Sequence, residues 1–108
     1  TPIGILFFDE ADAVLNTSKN EIYIDKDKLN FPMEMRLWKE GDHFYPLGMK
    51  GKKKISKYLK DEKLSLVEKE NTWVLTSEGE IIWVVGKRVD NRFRVTEKTN
   101  TMLKIELN

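Results

Sequence analysis

Residues 73–86, WVLTSEGEIIWVVG, read as two strands and the turn between them. Trp73 to Leu75 and Ile81 to Val85 are rich in aromatic and β-branched side chains. Ser77, Glu78, Gly79 and Glu80 carry turn chemistry, and Gly86 closes the second run. Working outward, Phe93 to Thr96 and Met102 to Leu107 predict two more strands, the latter setting Leu103, Ile105 and Leu107 opposite Met102, Lys104 and Glu106. Upstream, Met33 to Trp38 alternates Met33, Met35 and Leu37 with Glu34, Arg36 and Trp38, the pattern of a half-buried strand. Ile22 to Ile24 predicts a strand followed by a polar turn over Asp25 to Asn30. Ile3 to Phe8 is a short apolar run, a candidate buried strand. Asp9 to Leu15 reads as a helical turn or loop, and Asn16 to Asn20 as a turn or linker.

Two helices interrupt this β pattern. Lys53 to Lys60 suits a helix with Ile55, Tyr58 and Leu59 on one face and Lys53, Lys57 and Lys60 on another. Ser65 and Glu68 stand at capping-box spacing before a second, short helix over Leu66 to Glu70. About six strands and one or two helices that do not alternate with them predict an α+β domain.

The chain has 108 residues, enough for one domain, and composition typical of a globular protein. No apolar run approaches the length of a membrane span, so no membrane partner is expected. No basic region precedes the apolar residues near the start, so no signal peptide is expected, although a chain beginning at Thr1 leaves a longer parent open. With no cysteine there is no disulfide, thiolate nucleophile or cysteine-based zinc site, and a single histidine leaves no two-histidine metal motif. These features fit a reducing cytoplasm.

Charge is unevenly distributed. The net charge is +1. Residues 36–63, RLWKEGDHFYPLGMKGKKKISKYLKDEK, hold nine basic against four acidic side chains, whereas residues 1–35 hold three against seven. A concentrated positive field is the usual footprint of a polyanion. Within it, Gly48 and Gly51 bracket Met49 and Lys50, and Lys52, Lys53 and Lys54 follow. Backbone amides at such a loop can nest an anion, and the lysines add point charges. The plainer alternative is a solvated turn. Lys87, Arg88, Asp90, Asn91, Arg92 and Arg94 form a second basic patch beside a turn, in which Arg88 could pair with Asp90, and Arg92 and Arg94 would point the same way on a strand.

Other sites are weaker. His43 follows Asp42, but no serine carries a nucleophile signature, so catalysis through it is disfavoured. The glycine loop lacks the spacing and Ser/Thr of a P-loop. Its GxxG spacing is that of a KH-domain clamp, in the wrong structural context. Phe44 and Tyr58 are expected in the core, and Trp73 and Trp83 in the core or at its rim. Trp38 and Tyr45 are left open as stacking surfaces.

Taken together, RLWKEGDHFYPLGMKGKKKISKYLKDEKLS, then WVL, then IIWVVGKRVDNRFRVTEKT resembles the C-terminal domain of bacterial tRNA(Ile)-lysidine synthetase over roughly residues 22–107. The likeness is carried by Arg36, Gly41-Asp42, Pro46 to Met49, Lys54, Leu59, Lys63, Trp83, Gly86, Arg88, Phe93 and Thr99, in that order. The resemblance implies a small domain of layered, mainly antiparallel β-sheets with one or two short helices, similar to a domain of the phenylalanyl-tRNA synthetase β chain. It implies a parent enzyme that uses ATP and Mg to join lysine to the wobble cytidine of tRNA(Ile). Catalysis would belong to a preceding domain with an S-G-G-x-D-S loop, absent from this sequence, so no catalytic residue, metal or cofactor is expected here. Residues 21–108 would then be the tRNA-holding domain, serving the acceptor-stem region, and residues 1–20 a linker. By position, the RNA-binding residues would be Lys50, Lys52, Lys53, Lys54, Lys57, Arg36, Arg88, Arg92 and Arg94. A homodimer is left open. The alternative is a protein–protein or interdomain module that meets acidic protein surface without touching RNA.

Overall fold

The computed structural model describes residues 4–11 and 20–108. Among the described residues, three antiparallel sheets make up the β framework. The first is ordered β1-β9-β2, from Leu6–Ala11, Met102–Leu107 and Glu21–Asp25. The second runs β3-β6-β7-β8, from Met33–Leu37, Trp73–Ser77, Glu80–Val84 and Arg88–Val89. The third pairs β4, His43–Phe44, with β5, Lys53–Lys54. Two short helices follow β5: α1, Ile55–Asp61, and α2, Leu66–Glu70. The α+β reading of short helices on layered antiparallel sheets describes this architecture.

The β6–β7 hairpin is the centre of the molecule. Its two-residue turn places Glu78 at φ 49° and Gly79 at φ 84°, the left-handed pair that a type I′ turn needs to match strand twist. The second strand is buried on both sides, which is why Ile81 to Val85 is an unbroken apolar run. A bulge sorts its side chains: Leu75 pairs with Trp83 and Thr76 with Ile81, leaving Ile82 without an opposite residue. Ile82 and Trp83 therefore join one core with Leu75, Ile22, Ile24, Leu103 and Ile105. Ile81, Val84 and Val74 join the other with Phe44, Ile55, Tyr58 and Leu59. The first core lies between the two larger sheets, and the second lies under α1.

Helix α1 buries the expected Ile55, Tyr58 and Leu59, with Tyr58 edge-on to Phe44 at a centroid separation of 5.2 Å. It starts two residues later than predicted, because Lys53 and Lys54 pair with Phe44 and His43. Helix α2 carries the predicted capping box, Glu68 N–H donating to Ser65 Oγ at 3.2 Å and Ser65 N–H to Glu68 Oε1 at 3.0 Å.

Three other expectations differ. The early strand runs over Leu6–Ala11, pairing with β9 along its whole length. Leu6 packs against the core, but Phe7 and Phe8 stay 45% and 43% exposed, since an edge strand buries only part of its surface. The helical turn or loop expected over Asp9 to Leu15 is strand at its start, since Asp9, Glu10 and Ala11 continue the pairing with β9; the rest of it, and the turn or linker expected over Asn16 to Asn20 up to residue 19, lie outside the described residues. Phe93 to Thr96 is not a strand: Asn91–Phe93 is a 3-10 turn, and Arg94 makes only an isolated bridge to Ile24. Asp90 caps that turn by accepting from the Arg92 amide at 2.7 Å. Thr96 N–H then donates to Thr99 Oγ1, and Thr99 Oγ1 to Asp25 Oδ2. Local side-chain bonds have taken the place of a ladder.

Candidate nucleic-acid interface

The glycine loop projects between two anchored roots. At its start, Pro46 to Met49 forms a turn in which Met49 N–H donates to the Pro46 carbonyl at 3.1 Å, with Gly48 at φ 82°. Residues 45–47 lie along 88–91: Leu47 N–H donates to Val89 O at 3.0 Å, and Pro46 bridges Asp90. At its end the loop enters β5 and then α1, whose first amide, Ile55 N–H, donates to the Asp42 carbonyl at 2.9 Å. The two basic stretches, distant in sequence, thus meet at one place.

Their charges are used differently. Lys50, Lys52, Lys54 and Lys57 are exposed and make no ion pair among the described residues. Lys53 turns back to Asp61 at 2.7 Å, its side chain only 16% exposed. Asp61 is held below its ordinary value first by that hydrogen bond and further by the charges of Lys53, Lys57 and Lys60. These three lysines therefore share one region, as expected, although Lys53 precedes the helix.

The arginines are occupied. Arg36 grips Asp42 with both ends of its fork, at 2.8 and 3.0 Å, while the Lys39 amide donates to the same carboxylate. Burial pushes the Asp42 carboxyl up, but Arg36 and the Lys39 amide outweigh it and leave it below the ordinary 3.8. Arg92, not Arg88, pairs with Asp90, through Nε and Nη2 at 3.0 Å each, and also reaches Glu80 at 2.7 Å. Its guanidinium lies 4.4 Å from the centre of the Tyr45 ring. Burial alone would lower Arg92, yet Asp90 and Glu80 hold it above its ordinary value. Arg88 donates to the Leu47 carbonyl at 2.8 Å, under the loop. Arg94 is exposed and donates to the Asn91 carbonyl, so it does not share a strand face with Arg92.

The open aromatics are also engaged: Trp38 Nε1–H donates to the Lys69 carbonyl, and Tyr45 lies beneath Arg92. Sequence reasoning gave Asp90 only as a partner for Arg88 and missed its central place: its buried carboxylate also accepts from the Tyr45 amide at 2.9 Å. Its D-x-R spacing was the available signal. His43 stands in a cleft of about 360 Å³ with Glu78, Glu80 and Arg92, and no Ser, Thr or Cys lines it.

Comparison with known proteins bears on this surface. The family model described as the TilS substrate C-terminal domain matches residues 33–107. The chain belongs to this family. As a TilS C-terminal domain it is 53% identical over 92 residues to a tRNA(Ile)-lysidine synthase of Parabacteroides distasonis, covering 85% of this chain and 21% of that protein. It is 48% identical over 85 residues to one of Bacteroides thetaiotaomicron, covering 79% of this chain and 20% of that protein. The chain therefore spans about a fifth of these relatives' length. A solved structure described as a crystal structure of the TilS C-terminal domain shares the fold, with a TM-score of 0.74 over 95% of this chain and 82% of that one at 20% identity. No helix among the described residues is long and apolar enough to cross a membrane.

Proposed function

We propose that this domain holds tRNA(Ile), at its acceptor-stem region, for a lysine-ligating catalytic domain outside these residues. The observation that carries the reading is the set of exposed lysines Lys50, Lys52, Lys54 and Lys57, without an ion pair among the described residues, on and beside an anchored glycine loop. Duplex RNA presents phosphates and 2′-hydroxyls, while its major groove is too narrow for side chains to read. Point charges on a held backbone suit phosphates and position the RNA without reading its bases. The name borne by the relatives, tRNA(Ile)-lysidine synthase, supports the same reading. ATP and Mg would serve the absent domain, which activates the wobble cytidine in the cytoplasm. Residues 1–20 would connect the two domains, with β1 entering through the sheet. Among the nine basic residues considered, we assign phosphate contact to Lys50, Lys52, Lys54, Lys57 and Arg94. Arg36, Lys53, Arg88 and Arg92 shape the surface.

Binding of a tRNA(Ile) transcript across a salt series tests this. About five phosphate contacts give a log–log slope near −4, at roughly 0.7–0.9 per contact. An acceptor-stem minihelix should compete and an anticodon stem-loop should not. A flat salt response would replace this reading with a protein-facing one. That alternative has in its favour Leu66 and Val67, which stand 71% and 68% exposed on α2.

A further inference from the structure

Arg88 lies beneath the glycine loop. Its Nη1 donates to the Leu47 carbonyl at 2.8 Å and is the heavy atom nearest to where a Cβ on Gly48 would stand, at 3.8 Å. Its Nε is buried with no partner. The neighbouring Leu47 N–H donates to Val89 O, so the loop root is tied to β8 by bonds on both sides of one residue. The guanidinium also acts on Tyr58 of α1: burial pushes that phenol up, and Arg88 pulls it down. Arg88 therefore stands where the loop, β8 and the lysine-bearing helix meet.

A half-buried cation with an idle Nε carries a desolvation cost. A side chain placed to grip phosphate would turn its fork outward, where both nitrogens could reach an anion. This one directs its Nη1 inward, to the single carbonyl from which the loop departs.

We propose that Arg88 is a positioning residue for RNA binding: it pins the Leu47–Gly48 backbone against β8 and α1, so that Lys50, Lys52, Lys54 and Lys57 are presented together, and it makes no phosphate contact. The inference rests on the tRNA-binding reading above. An unpinned loop still reaches the phosphates, but it must be ordered at each binding event, so affinity falls without loss of a charge contact.

The experiment compares Arg88→Met and Arg88→Lys with the unaltered chain. Two quantities are read: tRNA(Ile) transcript affinity over a salt series, and amide hydrogen exchange at Leu47 and Met49. The expected result for Arg88→Met is affinity lowered about fivefold with a salt slope within about 0.3 of the parent, and faster exchange at those two amides. Arg88→Lys, which keeps the charge but lacks the planar fork, should fall between in affinity and exchange, again at unchanged slope. A slope reduced by about 0.7–0.9 in Arg88→Met would show a direct phosphate contact and overturn the proposal. Parent-like affinity and exchange in either variant would overturn it too. Should Arg88→Met fail to fold, Arg88→Lys decides by the same criteria. If the unaltered chain shows no salt-dependent tRNA binding, the tRNA reading fails, while exchange at Leu47 and Met49 still decides whether Arg88 holds the loop.

Discussion

The lysine loop at 50–57 and the arginine strip at 88–94 carry similar charge in the sequence, yet the first, Lys53 apart, stays open to solvent and the second, Arg94 apart, is drawn into the fold. Two physical differences separate them. No Asp or Glu occurs between Asp42 and Asp61, so the stretch supplies no acid of its own, and Asp61, the first acid beyond it, is taken by Lys53. The strip contains Asp90, fully buried, and lies beside Glu80. Side-chain type adds to this. A guanidinium fork matches carboxylates and carbonyls in fixed geometry, whereas an ammonium on a flexible stem keeps its water. A cation near an acid at the right spacing becomes structure, and a cation kept away from acids remains free to bind.

The comparison breaks most readily at Asp90. Asp90→Ala removes the acceptor for the Tyr45 and Arg92 amides and for the Arg92 fork, so urea unfolding should show a loss of about 3 kcal/mol. A loss under about 1 kcal/mol would mean that the strip is not built around this carboxylate.

Asp42 sharpens the comparison through pH. Its folded carboxyl lies below the ordinary 3.8, so its stabilising contribution is complete above that value and disappears as pH falls through the folded one. Asp42→Asn should cost about 2 kcal/mol at neutral pH, and the gap in urea midpoint between variant and parent should close on acidification below pH 3.8. A gap that stays constant down to acid unfolding would contradict the Arg36–Asp42 clasp.

The smallest effect lies within the loop itself. Lys52→Ala with Lys54→Ala should reduce the salt slope of tRNA binding by about 1.5 and leave stability within about 0.5 kcal/mol. Lys53→Ala should do the reverse, keeping the slope and slightly lowering stability through the loss of Asp61 as partner. Equal slopes for the two variants would erase the distinction between free and paired lysines.

Much of the local structure was legible because it depends on neighbours in the chain. The Ile55, Tyr58 and Leu59 spacing marked the buried face of α1, Ser65 and Glu68 marked the cap of α2, and Glu78-Gly79 marked the hairpin. The expectations that differed were decided by distant partners or by competing side-chain bonds. Lys53 and Lys54 left the helix pattern to pair with β4. Residues 93–96 lost their strand to the Asp90 cap and the Asp25–Thr99 bond. The apolar run at the start proved to be an edge strand with both phenylalanines partly in solvent.

Residue order alone determined the α+β class, the hairpin, both helices, the family likeness and the concentration of lysines around two glycines. These follow from periodicity, turn chemistry and charge, which are carried by adjacent residues. Tertiary structure alone decided which cations remain available. Ion pairing depends on distance in space, and Arg92 finds Glu80, Arg88 finds Leu47 and Lys53 finds Asp61 only once the sheets and α1 have packed.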